Sequence, residues 1–345
     1  MKRAPSARMK RPLQAMKTTG QHRLLTPGNL LVVALSAGMW AAAFMLPVPV
    51  PAQPLRVAVP LWPGAEPWVM ARAEGKLRPD QIKLVEINWT SAAMRAVGNR
   101  VVDAAILSLE EALLQIHQGY PLKILMVTDV SRGADALLVN PGIESLADLR
   151  GRRIGFEPRT AGTRLLGLAL AEAGLSMADI RHVVMNATEL QDGGMDRPAE
   201  AVVCSEPWRQ RLVARGMRPL YDSGKKGAEV VRVLVAHVDA VADHRDELLV
   251  LVRAHVEGMP RLAAAGAELE PVLRREGVSA EEFARIMEKM EVPALEQNRR
   301  WLACEDGWLE SRLEQLRAEL LPADGLEPAR RAADVFDPWF LEEAR

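Results

Sequence analysis

Three tryptophans and five acids occupy positions in this sequence where side chains could meet a bound molecule. Trp62, Trp89 and Trp208 each follow a predicted strand, and Glu66, Glu110, Asp135, Glu157 and Glu206 fall at strand-to-helix junctions or in short motifs beside them. Aromatic faces cover the apolar or cationic side of a ligand, and carboxylates hold a cation. Ser91, Ser108 and the turn Thr160-Ala-Gly-Thr163 stand at predicted helix starts. In that turn Gly162, next to Thr163, lets a small molecule approach the backbone N–H groups of a helix N-terminus. Each residue also has a plainer reading. Tryptophans pack, acids at helix starts gain about 0.3–1 kcal/mol from the local dipole, and Ser108 with Glu111 three positions on is a capping box. Five acids around one ligand repel an anion unless basic groups intervene, and Arg132, Arg159 and Arg164 are the nearest candidates. The set therefore points to a cationic or zwitterionic organic ligand.

Catalytic patterns are missing from the sequence. It has no Gly-x-Ser-x-Gly elbow, Walker loop, His-Glu-x-x-His or dinucleotide fingerprint. Ser223-Gly-Lys-Lys226 spells S-x-x-K but has no companion motif, and the six histidines include no i, i+4 pair. Cys204 and Cys304 lie one hundred positions apart without a CxxC, which argues against structural zinc. Spacing alone does not bring them within the ~7 Å a disulfide needs, so two unpaired, mostly buried thiols are expected. We expect no catalytic residue, no metal and no cofactor.

The elements that must position the candidate residues alternate strand and helix. Strands are predicted at Leu55–Val59, Ile82–Ile87, Ala104–Leu107, Leu122–Thr128 and Ala136–Val139. Between them run helices ending at Ala73, spanning Ala92–Val97 behind a Ser91 cap, and running from Ser108 to His117. The pattern restarts with a short helix at Ser145–Asp148, strands at Arg153–Phe156, His182–Met185 and Ala201–Cys204, and a helix over Thr160–Ala173. Val230–Ala236 is the last clear strand, and Arg245–Arg317 is mostly helical by period. Apolar strands separated by helices imply an α/β fold of two lobes with mostly parallel sheets and a helical C-terminal tail. We expect lobe 1 over 55–138, an inserted lobe 2 over 139–229, and a return to lobe 1 with the C-terminal helices over 230–345. Asp334–Phe340 reads as a terminal segment docking its aromatics on the first lobe.

The chain has 345 residues, 49% hydrophobic and 26% charged, which suits a globular protein rather than a disordered or multi-span membrane one. Its net charge of −1 averages two unlike parts. Seven basic residues precede Asn29, and no acid appears before Glu66. Without residues 1–52 the remainder has 37 basic against 45 acidic residues, a net of −8, and no electrostatic reason to bind nucleic acid. Leu30–Leu46 is a run of 17 uncharged residues followed by Pro47-Val-Pro-Val-Pro-Ala52. Basic flank, apolar core and small residue give the order of a signal peptide cleaved at Ala52. The alternative is an uncleaved anchor, since the run approaches the ~20 residues that span a bilayer. Either way the body is delivered outside the cytoplasm.

Leu55–Pro260 resembles the bacterial ABC-transporter solute-binding proteins of the nitrate/sulfonate/taurine type. The resemblance rests on Leu61-Trp-Pro-Gly-Ala-Glu-Pro67, Val102-Asp-Ala-Ala-Ile-Leu-Ser-Leu-Glu-Glu-Ala112 and Ser131-Arg-Gly-Ala-Asp-Ala136. Ile143-Glu-Ser-Leu-Ala-Asp-Leu-Arg-Gly-Arg-Arg-Ile-Gly155, Glu206-Pro-Trp208 and Tyr221-Asp-Ser223 complete it in order. It implies a type II periplasmic-binding-protein fold, two lobes closing on a small-molecule solute, and delivery to an ABC permease in the inner membrane by a monomer. Ala65 stands where relatives often have Tyr, and Gly194-Met-Asp-Arg-Pro-Ala-Glu-Ala201 replaces a usual Gly-x-Val-Asp-Ala. The solute is therefore not carried over from a relative. An enzyme of cofactor biosynthesis on the same fold and a solute-sensing partner of a membrane receptor are the alternatives.

Overall fold

The computed structural model describes residues 26–45, 53–185, 189, 199–264, 269–321 and 332–344. The chain divides into two units, Met1–Ala52 and Gln53–Arg345. In the first, helix α1 (Pro27–Met45) is uncharged throughout. Among the described residues no helix is long and apolar enough to cross a membrane. The basic flank, the Ala52 junction and residues 194–198 of the departing segment lie outside the described residues.

The second unit begins with β1 (Leu55–Val59), α2 (Glu66–Ala73), β2 (Ile82–Glu86), α3 (Thr90–Gly98), β3 (Ala104–Ser108), α4 (Leu109–His117) and β4 (Leu122–Ser131). It continues with β5 (Asp135–Val139), β6 (Arg153–Phe156), α5 (Ala161–Glu172), β7 (Arg181–Val184), β8 (Ala201–Ser205), α6 (Trp208–Ala214) and β9 (Arg218–Asp222). β10 (Val230–His237) returns to the first sheet, whose order is β11-β4-β10-β3-β1-β2, where β11 is Met290–Glu291. The second sheet runs β7-β6-β8-β5-β9.

Both sheets are mixed, which corrects the expectation of mostly parallel ones. β1 pairs parallel with β2 and β3, and β6 pairs parallel with β7 and β8. By contrast β10 is antiparallel to β3 and β4, and β5 is antiparallel to β8 and β9. The reason is the route of the chain. β4 feeds β5 and β9 feeds β10, and the strand entered at each crossing, β5 or β10, runs against both of its neighbours. Apolar residues explain the burial: all five residues of β3 and of β5 are buried, as strands covered on both faces must be.

One hydrophobic cluster gathers β1, β3, β4, β10 and the helices on both faces of the six-stranded sheet. Two clusters lie on the five-stranded sheet, one containing Leu165 and Leu170 from α5 and the other Trp208 and Leu212 from α6. The crossings are tied by serines. Ser131 and Ser223 place their hydroxyls 2.8 Å apart, and the Gly133 N–H donates to Ser223 Oγ at 2.7 Å. Gly133 has φ +117°, a conformation side chains rarely tolerate. Ser223 of the isolated S-x-x-K is thus a structural tie.

At the C-terminus Phe336 bridges Ile124 of β4, Phe336 and Phe340 are buried, and Arg245 covers the Trp339 ring at 3.6 Å. The segment docks on the six-stranded half. Cys204 and Cys304 are both free thiols. Ser91 is not a cap: Trp89 holds that position and Ser91 lies in the first turn of α3.

Candidate ligand-binding site

A cavity of about 140 Å³ opens beyond the carboxyl ends of β1–β3 and β6–β8, where open α/β sheets leave room for ligands. A cavity of ~150 Å³ accommodates benzene, so the space suits a ligand of that order. Its floor begins at Trp62, directly after β1. The indole N–H donates to Asp129 Oδ2 at 3.0 Å, and the Arg232 guanidinium lies 3.6 Å from the ring centroid. Arg232 Nη2 donates to both Asp135 oxygens, at 2.8 and 3.0 Å, and its Nη1 stands 3.7 Å from Asp129 Oδ1. Burial pushes the Asp129 carboxyl up, against the pull of Arg232 and Trp62. Burial pulls Arg232 down, but Asp135 and Asp129 outweigh it and hold the guanidinium charged.

Gly64 lets this floor close. A Cβ there would meet Asp129 Oδ2 and stand 2.9 Å from Trp62 Nε1.

The wall is made by two helix starts facing each other. Ser108 caps α4: its Oγ accepts the Glu111 N–H at 3.2 Å, while Glu111 Oε2 accepts the Ser108 N–H at 2.7 Å. The other oxygen, Glu111 Oε1, accepts the Ala161 N–H at 3.1 Å from the first residue of α5. Burial drives the Glu111 carboxyl up to about 7, opposed by the Ser108 and Ala161 N–H groups and reinforced by Glu110. Glu157 Oε1 accepts the Ser91 N–H at 2.8 Å, and the Glu157 carbonyl accepts hydrogen bonds from the Thr160 and Thr163 hydroxyls at 2.8 and 3.1 Å. Both carboxylate contacts join the six-stranded half to the five-stranded half.

Seven of the sequence candidates line the cavity: Trp62, Ser108, Asp135, Glu157, Thr160, Gly162 and Trp208. Six are elsewhere, for separate reasons. Glu66 is buried against Arg275 beside Glu276. Glu110 turns away from the cavity at the start of α4 and faces Arg164 at 3.5 Å, both nearly inaccessible. Glu206 is buried between Arg209 and Lys289 and accepts the Gln210 N–H. Thr163 spends its hydroxyl on the Glu157 carbonyl, Ser91 offers its backbone N–H to Glu157, and Trp89 is 39% exposed outside the lining. The common cause is direction: neighbouring residues at a strand-to-helix junction point to different sides.

Sequence reasoning missed Glu111, Arg232, Asn88, Thr90, Met185 and Ser205 in the lining, and Asp129 beneath it. In the sequence Glu111 carries only the signal of a cap. Arg232 did carry a signal, a single charge inside the apolar run Val230-Val-Arg-Val-Leu-Val235, because an arginine within a buried strand needs an acid partner. It pairs with Asp135 and Asp129 at the cavity, whereas Arg132 pairs with Glu229 and Glu291, and Arg164 with Glu110 and Glu319. Among the described residues no group of three or more His, Cys, Asp or Glu is placed to hold a metal.

A family model described as NMT1/THI5 like matches residues 71–265. A relative from Brucella abortus strain 2308, whose name assigns it provisionally to binding proteins, is 36% identical over 64 residues. That match covers 19% of this chain and 20% of the relative's length. The alkanesulfonate-binding protein SsuA from Xanthomonas axonopodis pv. citri, bound to MOPS, superposes with TM-score 0.59 at 19% identity, covering 77% of this chain and 95% of that one. The desulfurization enzyme DSZB superposes with TM-score 0.58 at 16% identity, covering 85% of this chain and 98% of its own. At these identities the superpositions speak for the fold, an α/β periplasmic-binding-protein architecture.

Proposed function

Because this chain belongs to the NMT1/THI5-like family, we propose that it is an extracytoplasmic solute-binding protein that captures a small organic solute between its two halves and delivers it to an ABC permease in the inner membrane. The observation that carries the reading is the cavity itself, lined from both halves and bridged by the Ser91–Glu157 and Ala161–Glu111 hydrogen bonds. Groups held apart in an open form and joined in a closed one give a ligand its differential contacts. We further take residues 1–52 as an export leader and 55–138, 139–229 and 230–345 as lobe 1, inserted lobe 2 and return.

The solute carries a cationic group. Arg232 is committed to Asp135 and Asp129, which leaves Glu157 and Glu111 as lining charge without a lysine or arginine of their own among the described residues. Trp208 supplies an apolar wall, although Arg211 already covers its ring at 4.4 Å. The fold also hosts an enzyme, the desulfurization protein above. The thiol in this cavity belongs to Cys204, and burial, with Glu206 and Asp135 adding to it, pushes that thiol up, opposite to what an attacking thiolate needs. Binding without chemistry is the better reading.

Isothermal titration calorimetry of the body with small primary and quaternary amines against short alkanesulfonates tests it. Amine binding at micromolar concentration with no sulfonate heat is the expected result. Tight sulfonate binding without amine binding removes the charge assignment.

A further inference from the structure

We propose that Glu111 is the specificity-determining residue of the cavity: its carboxylate, seated on the Ala161 N–H, takes the position in which the start of α5 would hold a ligand's anionic group, so that the cavity refuses anions. This rests on the solute-binding reading above and names how that site selects. A helix of twelve residues points its free N–H groups and the positive end of its dipole at whatever lies before it. Here Thr160, Ala161 and Gly162 all line the cavity, and Gly162 has no side chain between the backbone and the space. The expected occupant of such a place is an anion. The structure supplies one from its own chain, on the opposite half.

Three features make this a built arrangement rather than a passing contact. Glu111 is 5% exposed and lines the same cavity. Its second oxygen is fixed by the Ser108 N–H at 2.7 Å, and its own N–H by Ser108 Oγ, so the carboxylate cannot swing away without undoing the α4 cap. Among the described residues Arg232 is the one cation in the lining, and it is engaged by both oxygens of Asp135 and offers no substitute anchor. An incoming sulfonate or carboxylate therefore has to displace a tethered carboxylate or sit beside it, in a site where low polarity strengthens like-charge repulsion. A cation meets the same group as a partner.

The test titrates wild type, Glu111→Gln and Glu111→Ala with methanesulfonate and with tetramethylammonium, by calorimetry and by amide chemical shifts of Ala161 and Gly162. The inference expects wild type to ignore methanesulfonate. Glu111→Ala should bind it at least tenfold tighter than wild type, with the Ala161 and Gly162 amides shifting. Glu111→Gln, which keeps the volume and a cap acceptor, should fall between, and it serves if the alanine variant does not fold. Tetramethylammonium should weaken at least tenfold in both variants. Equal methanesulfonate affinity in all three proteins, or wild type binding it best, overturns the proposal. Failure of tetramethylammonium to bind wild type counts against the solute charge assigned above and leaves the methanesulfonate comparison as the reading on Glu111.

Discussion

At Glu111 the protein keeps a carboxyl that titrates near neutral pH inside its candidate site. Burial raises it to about 7, and the charges that face it are Glu110 on its own helix, Arg232 on β10, and Asp135 and Glu157 across the cavity. A bound cation favours the ionised form and so lowers that value, which means binding releases a proton when the pH is below about 7. Affinity for a small amine should therefore rise as pH increases from 6 to 8, by at most ~10-fold per unit, and level off above. Calorimetry in two buffers of different ionisation enthalpy measures the proton directly, and Glu111→Gln should abolish both effects. Stability has the opposite sign. The unfolded carboxyl ionises at its usual lower value, so the contribution of Glu111 is present below about 4.5 and lost as pH rises through about 7. This residue was legible as a cap, from Ser108 three positions earlier. Its second role was not, because Ala161 is 50 positions away and only the closed fold brings it near. Arg232 and Asp135 are likewise 97 positions apart.

The elements themselves could be read from the sequence far better than the contacts between them. Alternation and capping residues located β1, β3, α4, β6, α5 and β8 within a residue or two. Period and caps are local, so one chain segment contains all the information. Strand direction is not local: the antiparallel setting of β5 and β10 follows from which strands the crossings join. The turn Pro63-Gly-Ala65 between β1 and α2 shows how a local element depends on a distant one. Gly64 has no unusual φ to justify it; its need is room for Asp129 and the Trp62 indole. Gly64→Ala should break the Trp62–Asp129 hydrogen bond and strand a buried acceptor. The expected loss is about 1–3 kcal/mol, read as a lower urea midpoint, with tetramethylammonium affinity falling in parallel. An unchanged midpoint and affinity would mean the floor relaxes freely.

At the scale of the whole body, contacts away from the cavity also cross between the halves. Arg164 on α5 meets Glu110 on α4 at 3.5 Å, Glu319 on the helix Trp308–Leu320 at 2.7 Å, and the Gly227 carbonyl at 2.6 Å. Burial raises the Glu110 carboxyl, with Arg164 opposing it, so removing Arg164 leaves a costly unpaired acid. Arg164→Ala should destabilise the protein by about 3–5 kcal/mol and shift the free protein toward an opened form. Small-angle scattering should report a larger radius of gyration that ligand brings back toward the wild-type value. No change in radius would show that closure rests on the cavity contacts alone. The serine tie at the crossings remains intact in that variant, so the halves stay joined while they part. The stacking of Arg232 on Trp62 has one more result. The Trp62 indole, pressed against a guanidinium and bonded to a carboxylate, has its excited state shaped by both charges, and the Trp208 ring lies under the guanidinium of Arg211. Ultraviolet emission from these two rings should change colour and brightness when the cavity fills, so the molecule carries its own unlabelled optical gauge of occupancy.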